Sequence, residues 1–118
     1  MSVGSPAYYY LQQFGSHVWD VFGEPPYQVG SSVESKKWRD VDVVAILSDE
    51  DWEKWDLGDL PTQPNAKCIT LCMAFSELGK RMTGLPIDFK IQQFTDANKR
   101  FKGRRNALGM VGLRRIKA

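Results

Sequence analysis

Apolar residues recur at helical spacing near the start of the chain: Leu11, Phe14, Val18 and Phe22 fall on one face and predict a first helix. Ser5 is its candidate cap and Pro6 its opening residue, and Gly23 with Pro25-Pro26 closes it. The pattern then shortens. Residues 27–29 read as a brief strand that delivers Gly30 to a turn, residues 31–38 as a polar loop, and residues 40–47, rich in β-branched side chains, as a buried strand. An acidic stretch over 48–59 follows, with Trp52, Trp55 and Leu57 as its apolar contacts, and Pro61 and Pro64 punctuate what comes next. A longer helix is predicted over 65–82, carrying Cys68, Leu71, Cys72, Phe75, Leu78 and Met82 along one stripe and ending at Gly84 and Pro86. Over 86–91, Ile87, Phe89 and Ile91 alternate with Asp88 and Lys90, the period of a half-buried strand. This alternation of helices and strands predicts an α/β (α+β) domain: a small mixed β-sheet flanked by helices, with the long helix packed across it.

Beyond residue 96 the pattern fades, because Gly103, Gly109 and Gly112 interrupt every helical run. The expected organisation is a core over 1–96 and a basic tail over 97–118 of the same single domain. A chain of 118 residues, 42% hydrophobic and 25% charged, suits one core rather than two, so any site must be built on one scaffold. The net charge is only +2, but it is unevenly spread. Asp49, Glu50, Asp51, Glu53, Asp56 and Asp59 face a single lysine in the acidic stretch, whereas every charged residue after Asp96 is a lysine or an arginine. That tail is a candidate nucleic-acid surface, or a strap against the acidic stretch, with Phe101 as its aromatic residue for base stacking.

No apolar run approaches the roughly 20 residues needed to cross a bilayer, and the first residues lack the basic and apolar regions of a signal peptide. The expectation is a cytoplasmic protein with no membrane partner. Cys68 and Cys72, four apart with no nearby histidine or second cysteine pair, read as buried free thiols rather than zinc ligands. His17 reads as the partly exposed flank of the first helix.

Chemistry concentrates in three short pieces. Asp40 and Asp42 are two apart in a predicted strand and therefore project from one face, a suitable pair of carboxylates for magnesium, which combines few protein carboxylates with substrate phosphate oxygens. Asp88 repeats the logic on the second strand. Gly30 lets backbone approach a ligand closely, and the hydroxyls of Ser31 and Ser32, Ser31 foremost, can donate to phosphate oxygens. Lys36, Lys37 and Arg39 are candidates to neutralise phosphate charge, the arginine through a bidentate fork.

In the order Gly30-Ser31, Asp40-Val41-Asp42 and Asp88, spread over residues 8–92, the chain resembles the DNA polymerase beta-type nucleotidyltransferase superfamily. It departs from many members in the short, glycine-free segment between Ser31 and Asp40, and in having no second helical domain after the core within these residues. The resemblance implies a metal-dependent transfer of a nucleoside monophosphate from a nucleoside triphosphate to an acceptor hydroxyl, with release of pyrophosphate. It implies two magnesium ions, with manganese as a substitute. Asp40 and Asp42 would bind the ion that holds the triphosphate and share with Asp88 a second ion that activates the hydroxyl, Asp88 being also the candidate general base. Candidate acceptors are a nucleic acid and a partner protein, since small members of the superfamily often work with a separate helical protein. The competing class is a non-catalytic nucleotide-binding or antitoxin-like partner module that keeps the fold.

Overall fold

The chain folds in the order α1 (Ala7–Phe22), β1 (Tyr27–Val29), α2 (Ser31–Glu34), β2 (Val41–Leu47), α3 (Asp49–Trp55), α4 (Ala66–Thr83), β3 (Ile87–Gln93), α5 (Phe94–Arg100) and β4 (Asn106–Ala107). These elements come from a computed structural model, which describes residues 3–34, 39–100 and 103–109.

The helix ends follow local chemistry. In α4 the Asn65 side chain accepts from the Cys68 amide, closing one of the free amides of the first turn, and Gly84 ends the helix in the left-handed conformation. Ser48 caps α3 by accepting from the Asp51 amide, and Asp49, Glu50 and Asp51 lie where the helix dipole favours negative charge. At α1 the structure corrects the reading: Pro6, not Ser5, occupies the cap position, and no side chain caps the helix. A proline already holds φ near the helical range, so the first turn builds on it directly. The predicted polar loop also opens differently, as the single helical turn of α2.

The four strands form one mixed sheet in the order β3-β2-β1-β4. β1 runs antiparallel to both of its neighbours, and β2 pairs in parallel with β3. A parallel pair needs a long crossover, here supplied by α3 and α4. One face of the sheet carries the larger core, where Leu11, Phe14 and Val18 of α1 meet Val41, Val43 and Phe89. Phe75 links α4 to this layer through ring contacts with Phe22 at 5.5 Å and Phe89 at 5.2 Å between centroids. Gly79 brings α4 close to β3, since a Cβ there would stand 2.9 Å from an Ile87 methyl. The opposite face is smaller, with Val29, Val44 and Ile46 gathered around Ala97 of α5.

The stretch after residue 96 is more integral to the domain than its composition suggests. The 96/97 boundary falls inside α5, β4 pairs with β1, and Leu108 is fully buried in the main core. The Gly109 amide donates to Gln12 at 2.7 Å, fastening the segment to α1. Among the described residues, no helix is long and apolar enough to cross a membrane.

Candidate functional site

Register decides which acids meet. Asp42 is the second residue of β2 and Asp88 the second of β3, and the parallel ladder sets them directly beside one another. Both are half-buried between fully buried neighbours, Val41 and Val43 on one strand and Ile87 and Phe89 on the other. Across the other edge of β2, Asp42 is the ladder partner of Val29, which leads into the turn at Gly30. That glycine has φ of 76°, and a Cβ built on it would lie 2.6 Å from Asp42 Oδ2. A side chain here would be both strained and in collision, so Gly30 is the residue that allows the turn to pass over the carboxylate.

Asp40 precedes β2 and is exposed. Its charge nevertheless reaches Asp42, whose pKa is raised by burial first, then by Asp88, with Asp40 adding a smaller push and Lys90 opposing it. The structure thus sets Gly30 and Asp88 on either side of Asp42, whereas Asp40, expected within the strand and on one face with Asp42, lies just before β2 and acts on Asp42 through its charge. Among the described residues, no set of three histidine, cysteine, aspartate or glutamate side chains converges as a ready-made metal cage. What stands here is a pair of neighbouring carboxylates with a third acid at its edge. This suits a magnesium ion that takes one or two protein carboxylates and completes its shell with phosphate oxygens and water.

The two serines separate. Ser31 is exposed at the start of α2, whereas Ser32 is buried, and its hydroxyl accepts from Gln28 Nε2 at 3.0 Å. Gln28 is itself fully buried and accepts from Asn106 Nδ2, so Ser32 belongs to an internal polar network that ties β1 to β4. Ser31 is the hydroxyl left open to a ligand. Arg39 is exposed beside Asp40, while Lys36 and Lys37 lie outside the described residues, as does Trp38.

Two cations join the site that sequence reasoning did not assign to it. Lys90 Nζ lies 3.9 Å from Asp88 Oδ2. Lys80, near the end of α4, is held chiefly by Glu77 at 2.8 Å and also feels Asp40 and Asp88. Lys90 had a local signal, because a residue two beyond Asp88 on a strand shares its face. Lys80 had none, since only the packing of α4 against β3 brings it near.

A groove of about 750 Å³ starts at this cluster and runs along the outer side of β3 and α4. Asp40, Asp88, Lys80 and Lys90 line its charged part, while Pro61, Pro64, Ile69 and Met73 contribute apolar wall. Cys68 and Cys72 also border it, and both are free thiols. Burial pushes the Cys68 thiol up to about 12, with its neighbour Cys72 adding to the shift, and burial likewise raises Cys72. Comparison with protein-family models, with curated proteins and with solved structures finds no significant match.

Proposed function

We propose that the chain is a metal-dependent nucleotidyltransferase that moves a nucleoside monophosphate from a nucleoside triphosphate to an acceptor hydroxyl. The observation that carries this reading is the meeting of Asp42, Asp88 and the Gly30 turn at one end of the sheet. A raised Asp42 pKa between acidic neighbours marks a place where added positive charge is favourable. When bound, a divalent ion supplies that charge and lowers the pKa of a hydroxyl near it.

The chain's own residues do the rest. The Gly30 turn and the exposed Ser31 hydroxyl hold phosphate oxygens, and Arg39 offsets their charge from the surface. Asp42, with Asp40 at its edge, would hold the cation, whose charge would offset that of the triphosphate. Asp88 faces the groove, and there it receives the proton of the acceptor hydroxyl. The hydroxyl oxygen bonds to the α-phosphorus as the bond to the bridging oxygen breaks, and pyrophosphate leaves on the opposite side.

The test is incubation of the full chain with each α-labelled triphosphate and magnesium, or manganese in its place, using total nucleic acid and lysate protein as acceptors. Label should enter an acceptor with release of pyrophosphate, and Asp42→Asn should lose the transfer. Triphosphate binding without transfer under any of these conditions would favour the non-catalytic partner module instead.

A further inference from the structure

The groove beside Asp88 has two features that restrict its occupant. Its wall beyond the charged cluster is apolar, and α4 leaves large hydrophobic side chains in the open there: Ile69 is 49% exposed and Met73 65%. Four residues apart, the two share one helix face, and their exposed surface is continuous with the apolar wall of the groove. The volume, about 750 Å³, lies within the range of small-molecule pockets.

Two macromolecular occupants suit it poorly. β3 is an edge strand, and an extended peptide would ordinarily bind such an edge by adding a strand to it. Here the outward backbone groups of Ile87, Phe89 and Ile91 are already engaged. Ile87 donates to the Leu85 carbonyl at 2.8 Å, Phe89 donates to Ser76 Oγ at 2.8 Å, and the Ile91 backbone hydrogen-bonds the Cys72 thiol. The helix therefore caps the edge, as proteins do to block strand addition. A nucleic acid would need a cationic groove, but Lys80 and Lys90 are matched against Asp40, Glu77 and Asp88.

We infer that this groove binds a small apolar compound bearing a hydroxyl, its hydrocarbon body lying against Ile69 and Met73 and its hydroxyl directed to Asp88. The inference rests on the transferase reading for its last step, in which that hydroxyl is the acceptor. It explains why the charged residues occupy one part of the groove and the apolar ones another.

The probe is 2-naphthol, titrated into the full isotope-labelled chain and followed by amide chemical shifts. Shifts should map to Ile69, Met73 and Ile91, and Met73→Lys should weaken binding by about tenfold or more, because it places a solvated charge on the apolar wall. Met73 is exposed, so that variant folds as the wild type does. Shifts elsewhere, or unchanged affinity in Met73→Lys, would overturn the inference. A parallel incubation with labelled triphosphate and magnesium offers 2-naphthol, a polypeptide mixture and RNA. Label on naphthol that is lost in Met73→Lys supports the acceptor role, whereas label on RNA or polypeptide that Met73→Lys leaves intact overturns it. Naphthol bound in the groove with no transfer to any acceptor upholds the ligand class and refutes the transferase reading on its own.

Discussion

Gly30 and Asp42 are fitted to each other: the turn passes so close to the carboxylate that a Cβ on Gly30 would stand 2.6 Å from Asp42 Oδ2, and its φ of 76° already excludes most side chains. Gly30→Ala should therefore cost about 1–3 kcal/mol, from backbone strain and from displacement of Asp42. Denaturant unfolding measures the loss. In the transfer assay the same variant should lose more activity than a control of equal stability loss in the core, such as Val18→Ala, because only Gly30→Ala moves the carboxylate. Equal stability in Gly30→Ala would mean that the turn relaxes freely and does not position Asp42.

The Asp42 carboxyl gives a pH signature. Burial first, and Asp88 next, raise its pKa above the ordinary aspartate value of 3.8, so the folded chain holds this proton more tightly than the unfolded chain. Stability is lost as pH rises from the ordinary aspartate range through the raised value, and the full deficit is present at neutral pH. Asp42→Asn removes the titration. Its melting temperature should exceed that of the wild type at neutral pH, and the difference should close as pH falls below the ordinary aspartate range. A gain that is constant with pH would trace to packing rather than to charge.

Leu108 ties the end of the described chain to the core, being fully buried against α1 after β4 has paired with β1. Leu108→Ala should cost about 2–5 kcal/mol, as for other leucines lost from a packed interior. Truncation after Asp96 removes β4 and Leu108 together and should prevent cooperative folding. A truncated chain with a wild-type melting curve would make residues 97–109 a mere appendage. Any effect of such a truncation on polyanion binding must accordingly be judged against this structural loss.

How far the sequence could be read depended on the length of each signal. The stripe Leu11, Phe14, Val18 and Phe22 and the β-branched run of β2 repeat over several turns or residues, so periodicity located them within a residue or two. The alternation around Asp88 gave its face but not its neighbour, because its place beside Asp42 depends on the parallel register of β2 and β3, which only folding reveals. By contrast, β4 is only Asn106-Ala107 and has no periodicity, and α5 buries Ala97 alone, so neither rises above a basic, glycine-broken background. Ser31 and Ser32 are chemically identical in sequence. Their different fates depend on Gln28, whose buried amide needs a partner that only folding reveals.

The thiols offer a test independent of nucleotide chemistry. Burial raises Cys68 to about 12 and raises Cys72 as well, leaving little thiolate at mildly alkaline pH. Iodoacetamide should modify the native chain at least about tenfold more slowly than the unfolded chain at the same pH, with Cys68, the more buried thiol, the slower of the two. Mass spectrometry of timed digests resolves the two sites. Rapid modification of native Cys68 would show that α4 leaves β3 readily.

Asp88 separates holding a triphosphate from transferring part of it. It lies beside Asp42 on the ladder but borders the groove, while Asp42 sits under the Gly30 turn on the other side. If the triphosphate is held on the Gly30 side and the acceptor enters from the groove, Asp88→Asn should keep most magnesium-dependent triphosphate affinity and lose transfer by about 100-fold or more, the usual worth of a positioned base. Asp42→Asn should lose both. Calorimetric titration of the triphosphate, paired with single-turnover transfer, reads the two quantities separately. Equal loss of affinity in both variants would place Asp88 in the triphosphate site, and unchanged transfer in Asp88→Asn would leave it as an ordinary strand residue paired with Lys90.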